Sequence, residues 1–211
     1  MADVAADLDL APPAPPTAPL TEAGRDLLFR QAHTAYRFTD RPVTDAQLVA
    51  AYELARMAPT SMNSQPLRIA VLRSEQARSQ LLPLLAESNR EKAASAAVCT
   101  VLAADGDFHQ HLSTLAPHSP NAAAGFADPA RREAFARANA HLQAGYLIVA
   151  LRALGLDVGP MGGFDADGVD AEFLRGTAWR SFLVLNIGHA APEGVRPRSP
   201  RLAAEEALAF L

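Results

Sequence analysis

The stretch "MAPTSMNSQPLRI", residues 57–69, is the most informative part of this chain. Pro59 and Pro66 enclose a run of uncharged hydroxyl and amide side chains, and apolar segments lie on both sides. Proline fixes φ and lacks a backbone donor, so Pro59 ends a helix and Pro66 leads into an extended segment. The stretch therefore predicts a turn between a helix and a strand. Its polar groups make it a candidate ligand-binding loop.

Helices and strands are predicted on both sides of this loop. Thr44 begins the preceding helix with a capping box that Gln47 completes. Residues 67–74 predict the next strand, and the apolar, β-branched residues 96–105 predict a central strand. The other predicted elements are a helix from Thr21 to about Gln31, a helix bent near Pro83, an irregular excursion over 106–128, a short helix over 169–176 and a third strand over 179–190.

Residues 130–154 predict the longest helix. Its predicted apolar stripe consists of Phe135, Ala138, Leu142, Tyr146, Val149 and Ala153. Such a helix must be covered on most sides, and a partner subunit is one way to cover it. The order of elements, α-α-β-α-β-α-α-β, predicts an α+β fold or a three-layer α/β/α arrangement.

Composition bounds the class of protein. The 211 residues fit one domain, and 49% hydrophobic residues are enough for a core. The net charge of −4 argues against nucleic acid as the main partner, because such domains are usually basic. No apolar run approaches the ~20 residues that cross a bilayer. The acidic start "MADVAADLDL" lacks the basic residues of a secretory signal. We therefore expect a soluble, cytoplasmic protein with no membrane partner.

The first 19 residues are predicted to form a separate segment. They are rich in proline and alanine, and "APPAPPTAP" (11–19) contains five prolines. Proline favours an extended backbone without internal hydrogen bonds. We therefore expect residues 1–19 to be a flexible arm and residues 20–211 to be the folded domain.

Several kinds of catalytic site are not indicated. No Gly-x-Gly-x-x-Gly follows a strand, and neither a Walker loop nor a Gly-x-Ser-x-Gly elbow is present. The only cysteine, Cys99, lies in an apolar strand and is predicted to be a buried small hydrophobe. Asp105, Asp107, His109 and His111 alternate, but no further ligand group follows at the spacing of known metal sites. We therefore predict a polar surface there and no metal.

Five polar stretches are candidates for a binding site, and the stretches at 32–38, 58–66 and 159–164 each begin or end a predicted helix. The five stretches are "AHTAYRF" (32–38), "APTSMNSQP" (58–66), "ESNREK" (87–92), "GPMGGF" (159–164) and "RPRSPRL" (196–202). Hydroxyls, amides, backbone N–H groups and a few cations suit a flat polar heterocycle that carries a phosphate. From composition alone, five ordinary connections would explain these stretches better than a binding site.

The residues of these stretches, and their order along the chain, resemble those of a known family. "RFTDRPVTDAQLVAAYELARMAPTSMNSQPLRIAVLRS" (37–74), "HLQAGYLIVALRALGLDVGPMGGFD" (141–165) and "FLVLNIGHA" (182–190) are similar to segments of the FMN-dependent nitroreductases. The resemblance covers about residues 25–205. It implies a three-layer α/β/α sandwich with a central, mostly antiparallel sheet and a long central helix. It also implies a homodimer with FMN sites at the subunit interface.

The resemblance assigns FMN-binding roles to particular residues. His33 and Thr34 would lie near the phosphate, with Tyr36 in the same segment, and Arg198 and Arg201 would bind the phosphate from the C-terminal tail. Asn89 and Lys92 would meet the pyrimidine edge of the flavin. The backbone of Pro160, Met161, Gly162 and Gly163 would face its ring, and Pro59, Thr60, Ser61 and Asn63 would reach the flavin of the partner subunit.

One segment departs from the family pattern. Many members flank the hydroxyl residue with arginines, whereas this chain reads Ala32, His33, Thr34, Ala35, Tyr36. The resemblance therefore implies FMN as cofactor but places more of the phosphate binding on Arg198 and Arg201.

The implied activity is ping-pong hydride transfer from NAD(P)H through flavin N5 to a small acceptor. "RALGLDVGPMGGFD" (152–165) and "PRSPRL" (197–202) are similar to the branch that includes malonic semialdehyde reductase, which produces 3-hydroxypropanoate in pyrimidine degradation. Two alternatives remain open: a general nitroaromatic or quinone reductase, and a non-catalytic flavin-binding dimer.

Overall fold

The computed structural model describes residues 18–211, and the predictions for residues 1–17 of the arm lie outside that range. Within the described residues, no helix combines the length and the hydropathy that a membrane span requires.

The described part of the chain contains one four-stranded sheet. Its strands are β1 (Leu67–Leu72), β2 (Val98–Asp105), β3 (Asp157–Met161) and β4 (Trp179–Gly188), in the spatial order β1-β2-β4-β3. Every neighbouring pair is antiparallel. All residues of β2 are buried, because strands flank it and helices cover both faces. The predicted central strand is therefore confirmed.

Helices cover both faces of the sheet. On one face lie α2 (Asp45–Ala55) and α6 (Pro129–Ala153), and on the other lie α3 (Glu75–Leu81), α4 (Glu87–Ser95) and α7 (Ala166–Phe173). The short helices are α1 (Glu22–Arg25), which continues as a π-helix over Asp26–Arg30, α5 (Leu112–Leu115) and α8 (Ala204–Ala207). Leu102 and Leu185 face α6, whereas Val101 and Val184 face the other helical layer. The predicted three-layer α/β/α arrangement is confirmed.

Most local predictions agree with the structure. The Thr44 hydroxyl accepts from the Gln47 amide at 3.2 Å, and Gln47 Oε1 accepts from the Thr44 amide at 2.9 Å, so the capping box is present. The bend near Pro83 is a 3₁₀ turn over Leu82–Leu84 that separates α3 from α4. The excursion over 106–128 contains only short helical turns, including α5.

The sheet contains a strand that the sequence did not predict. Residues 157–161 were expected to be a loop after the long helix, but they form β3 and pair with β4. Pro160 has no backbone N–H to donate, so it fits where that side of the strand has no neighbouring strand, and β3 is an edge strand. The strand was not predicted because glycine and proline are unfavourable in most strands.

The predicted apolar stripe of the long helix does not face the sheet of its own chain. The structure leaves Leu142 54% exposed and Tyr146 47% exposed. The residues that α6 buries are Ala136, Asn139, Ala140, Gln143, Ala144, Leu147, Ala150 and Leu151. Alanines allow α6 to approach the sheet closely, and the two buried amides bond to backbone elsewhere in the chain. Apolarity alone therefore does not identify the face of α6 that packs against the sheet.

Cys99 is a buried hydrophobe, as predicted. It is fully buried in β2, with its sulfur 3.3 Å from Asn186 Oδ1. Burial raises the pKa of the Cys99 thiol to about 11, and Arg78 acts in the opposite direction. Because only the thiolate is a strong nucleophile, Cys99 is inert at neutral pH.

Gly159→Ala is expected to destabilise the fold. A Cβ at this position in β3 would lie 2.6 Å from the carbonyl oxygen of Ala35, so the backbone of the two segments would have to separate. We expect a loss of about 1–3 kcal/mol in the free energy of unfolding, measured by urea denaturation. Gly125→Ala is the control, because a Cβ there meets nothing within 4 Å. Equal unfolding free energies for the two variants would contradict this packing.

Candidate functional site

A polar cleft of about 440 Å³ lies beside β3. Its lining includes His33, Thr34, Tyr36 and Arg152, together with Arg196, Arg198 and Arg201 of the C-terminal tail. Residues 34–36 reach the cleft because backbone hydrogen bonds hold this segment on two sides. The Ala35 amide donates to the Val158 carbonyl at 2.9 Å, and the Tyr36 amide donates to the Gly194 carbonyl at 2.9 Å.

The cleft concentrates positive charge. Four arginines line it, and no carboxylate is among the described residues of its lining. Burial lowers the pKa of Arg152, the neighbouring Arg198 lowers it further, and Asp157 opposes both effects. Arg198 is oriented by hydrogen bonds to the carbonyls of Arg30 at 2.8 Å and Ala32 at 2.6 Å. Such an arrangement suits a doubly charged anion, and arginine is well matched to phosphate oxygens.

A second group of polar residues lies next to Tyr36, which also lines the cleft. On α4, the Asn89 side-chain amide donates to the Gly163 carbonyl at 3.0 Å, and Lys92 Nζ donates to Asn89 Oδ1 at 2.9 Å. Lys92 Nζ also lies 5.0 Å from the centre of the Tyr36 ring. A Cβ on Gly163 would lie 3.1 Å from Asn89 Nδ2, so glycine allows the loop to approach α4 closely.

The β3 residues contribute unequally. The Met161 side chain is buried, and its sulfur accepts from Asn186 Nδ2 at 3.6 Å, so only its backbone can serve a ligand. Pro160 is partly buried, whereas Gly162 and Gly163 are exposed after the strand. This loop thus offers backbone groups rather than side chains.

The loop that contains Pro59, Thr60, Ser61 and Asn63 lies elsewhere on the chain. The Ser61 amide donates to Asn139 Oδ1 at 2.8 Å, whereas the cleft contacts α6 at Arg152. These two α6 positions are 13 residues apart in sequence, which at 1.5 Å per residue is about 20 Å along the helix. One chain therefore does not bring this loop to its own cleft.

The loop is held in an unusual backbone conformation. Met62, Asn63 and Gln65 have φ values of 59°, 50° and 42°, in the left-handed region that non-glycine residues rarely adopt. Side chains stabilise it: Asn63 Nδ2 donates to the Leu115 carbonyl at 2.8 Å, and Gln65 Nε2 donates to Asn63 Oδ1 at 2.8 Å. Backbone strain of this kind tends to be retained where it serves a function.

Sequence reasoning missed three residues near these groups. Arg152 and Arg196 line the cleft, and Asn139 holds the loop. Arg196 lies in the quoted "RPRSPRL" stretch, and the arginine content of that stretch was a signal that could have identified it. No sequence signal marks Arg152 or Asn139, because their contacts are made with segments distant in sequence.

The Asp and His residues at 105–111 do not gather into a metal site. Asp105 pairs with Arg68 at 2.7 Å and accepts from the Asp107 amide at 2.8 Å. Across residues 18–211, no three histidine, cysteine or acidic side chains are placed to share an ion.

Comparisons with known proteins identify the family to which this chain belongs. Residues 29–189 match the sequence model of the nitroreductase family. The chain belongs to this family. A relative from Leptothrix cholodnii with the provisional name NADH dehydrogenase/NAD(P)H nitroreductase is 53% identical over 185 residues, which is 87% of this chain and 94% of the relative.

Solved structures of the nitroreductase family share the fold. A family protein from Streptococcus pneumoniae TIGR4 has a TM-score of 0.76 at 26% identity, over 87% of this chain and 98% of its own. A provisionally named nitroreductase from Exiguobacterium sibiricum, crystallised in complex with FMN, has a TM-score of 0.78 at 19% identity, over 88% and 96%. The antiparallel sheet and the long central helix described above are thus those of the nitroreductase fold.

Asn139→Leu is expected to loosen the loop without unfolding the chain. The substitution leaves the Ser61 amide without its acceptor, so hydrogen exchange at Ser61 should accelerate roughly tenfold. Gln143→Leu is the matched control one turn along α6, because Gln143 Oε1 accepts from the Leu67 amide at 3.0 Å. Its faster exchange should appear at Leu67 and not at Ser61. Unchanged exchange at Ser61 in Asn139→Leu would show that the loop does not depend on this bond.

Proposed function

We propose that this nitroreductase-family chain is an FMN-dependent NAD(P)H oxidoreductase. The observation that carries the proposal is a cleft in which, among the residues that the structure describes, four arginines and no carboxylate meet. Tyr36 connects this cleft to Lys92, Asn89 and Gly163. One end suits a phosphate and the other suits a polar heterocycle. When bound, FMN supplies hydride transfer between NAD(P)H and the acceptor.

At the phosphate end, the arginines bind charge. Arg198 and Arg201 come from the tail, Arg152 comes from the last turn of α6, and the Thr34 hydroxyl and the His33 ring add hydrogen-bonding groups. Arg152 supports the proposal in particular, because it offsets the arginines that the segment Ala32–Tyr36 lacks relative to the family pattern.

At the heterocycle end, Asn89 and Lys92 act on the ring edge. The Asn89 amide would orient the ring by hydrogen bonding, and the Lys92 ammonium would stabilise negative charge on it. The backbone of Gly162 and Gly163 would be accessible to the ring because neither residue has a side chain. No acid–base side chain is required for these roles.

The active form in this proposal is a homodimer. The loop over 59–63 is about 20 Å along α6 from the cleft of its own chain, so it serves the cleft of a second copy. Exposed apolar side chains support such an interface: Val49, Leu54 and Met57 on and just after α2, with Leu142 and Tyr146 on α6. An apolar hollow of about 630 Å³ between α2, β1 and α5 extends the same surface. Residues 20–211 form the FMN-binding unit in this proposal.

Mixed dimers test the shared site. Arg201→Ala should weaken FMN binding roughly tenfold, and Thr60→Ala/Ser61→Ala should weaken it several-fold. Two differently tagged chains, one with each change, are co-expressed and the mixed dimer is isolated. If the loop acts on the partner, one of the two sites contains both changes and the other is intact. Titration with FMN, followed by fluorescence quenching, should then show one site of wild-type affinity. Two weakened sites, one about tenfold and the other several-fold, would show instead that each loop serves the cleft of its own chain.

Malonic semialdehyde is the proposed acceptor, and 3-hydroxypropanoate is the product. The similarity of residues 152–165 and 197–202 to that branch supports it. A nitroaromatic or quinone acceptor is the second candidate, and the name of the Leptothrix cholodnii relative favours it.

Turnover with three acceptors separates these candidates. With NADH and NADPH in turn, we expect kcat/KM for malonic semialdehyde to exceed the values for a nitroaromatic and a quinone by about tenfold or more. The reverse order would favour the second candidate. Anaerobic mixing with either nucleotide serves as the control, because the flavin absorbance should bleach before any acceptor is added. Flavin that stays bound and oxidised would indicate a non-catalytic flavin-binding dimer.

A further inference from the structure

Lys92 is the only lysine in the sequence, and the other eighteen Lys or Arg positions are all arginines. A lysine ammonium is a compact point charge with three donors, whereas an arginine guanidinium is a larger planar fork. A chain that uses arginine at every other such position therefore retains the compact cation at position 92. This choice indicates that the surroundings of Lys92 require a small, well-placed charge.

Two side chains from different segments hold the Lys92 ammonium. Its Nζ donates to Asn89 Oδ1 at 2.9 Å and lies 5.0 Å from the centre of the Tyr36 ring. Asn89 is buried, and its Nδ2 donates to the Gly163 carbonyl at 3.0 Å, so its Oδ1 has a fixed direction. An aromatic ring attracts a cation that lies within about 6 Å of its centre. Asn89 and Tyr36 together therefore restrict where the ammonium can lie.

The charge of Lys92 is not neutralised within the described part of the chain. None of the ion pairs there includes Lys92, and Glu91, its neighbour in sequence, lies 4.0 Å from Arg37. Its hydrogen-bond acceptor, Asn89, is a neutral amide. The ammonium is thus oriented and unpaired, and its full charge can act on negative charge bound next to it.

The Tyr36 ring is anchored independently of Lys92. The Tyr36 amide donates to the Gly194 carbonyl at 2.9 Å, and the Ala35 amide donates to the Val158 carbonyl at 2.9 Å. These bonds belong to the backbone, so they remain when the side chain of Tyr36 is changed. The contact with Lys92 is made by the ring, and phenylalanine would preserve it.

We propose that Tyr36 is a positioning residue that holds the Lys92 ammonium next to the bound flavin and thereby raises the flavin's reduction potential. Reduced flavin carries more negative charge than oxidised flavin, so a cation fixed beside it stabilises the reduced state more. Without the ring, the ammonium can turn toward solvent, where water screens its charge. This inference rests on the proposed FMN-dependent function and adds to it the residue that positions the charge.

The midpoint potential of bound FMN measures this effect. It is determined anaerobically on the FMN-loaded protein against a reference dye, with a reductant other than NAD(P)H. We expect Tyr36→Leu to weaken the binding of reduced FMN about tenfold more than that of oxidised FMN, which lowers the midpoint potential by about 30 mV for a two-electron couple. Tyr36→Phe retains the ring and should leave the potential unchanged.

A second pair of variants changes the ring at constant shape. 3,4,5-Trifluorophenylalanine at position 36 has nearly the shape of the Tyr36→Phe side chain, but its fluorines withdraw electron density from the ring face. Its attraction for a cation is therefore weaker, and we expect a lower midpoint potential than in Tyr36→Phe. Because packing is preserved, this pair decides the inference even if Tyr36→Leu fails to retain FMN.

A double-mutant cycle shows whether the ring acts through Lys92. In a Lys92→Gln background, Tyr36→Leu should cause no further change in the midpoint potential, because the charge that the ring positions is absent. The same ring also contacts Arg196, whose guanidinium carbon lies 4.2 Å from its centre. An equal drop in potential with and without Lys92 would overturn the inference, because the ring would then act through Arg196 or through packing.

Arg201→Ala is the control for FMN affinity. The phosphate of FMN has the same charge in both redox states, so this change should weaken the binding of both states and leave the midpoint potential unchanged. Equal potentials for the wild-type chain, Tyr36→Leu and the trifluorinated variant would overturn the inference. Failure of NADH and NADPH to reduce the bound flavin would instead overturn the proposed function, and the midpoint potentials, which are measured without nucleotide, would still decide the inference.

Discussion

The site depends on how residues 34–39 are held between β3 and residues 188–194. Backbone hydrogen bonds run along both sides of this segment: Ala35 to Val158, Tyr36 to Gly194 and Thr39 to His189. The close approach requires glycine at two positions, because a Cβ on Gly159 or on Gly194 would overlap the backbone of Ala35 or Arg37. This docking brings Thr34 and Tyr36 to the cleft and carries the tail arginines with them. A few backbone contacts thus assemble side chains from the two ends of the chain.

The long helix provides the second constraint. Asn139 and Gln143 are buried polar side chains, and each accepts a backbone N–H from another segment. A buried amide that lost its partner would cost about 1–3 kcal/mol, so these contacts fix the loop and the start of β1 against α6. The last turn of the same helix places Arg152 in the cleft. One rigid element therefore sets the separation between the loop and the cleft, and a site that uses both groups needs two chains.

Sequence patterns correctly predicted the features that depend on residues close together in the chain. The Thr44 capping box, the central strand and the turn after Pro59 each follow from residues close in sequence, and the structure has all three. β3 was missed because its glycine and proline are unfavourable in most strands and are tolerated here only at an edge. The buried face of α6 was missed because it consists of alanines and two amides, whose burial depends on distant backbone partners. Arg152 was missed for the same reason, since its role comes from the tail that folds over it.

Resemblance extended the prediction beyond these rules, but it did not identify the charge balance of the cleft. The chain has a net charge of −4, yet the described lining of the cleft contains four arginines and no carboxylate. Burial lowers the pKa of Arg152 and the neighbouring Arg198 lowers it further, so the charged arginine is disfavoured in the free site. A bound anion favours the charged form, so its binding free energy also stabilises the fold. The departure at Ala32–Tyr36 then has a physical reading. Positive charge absent from that segment is supplied to the cleft by Arg152 of α6 and by the arginines of the tail.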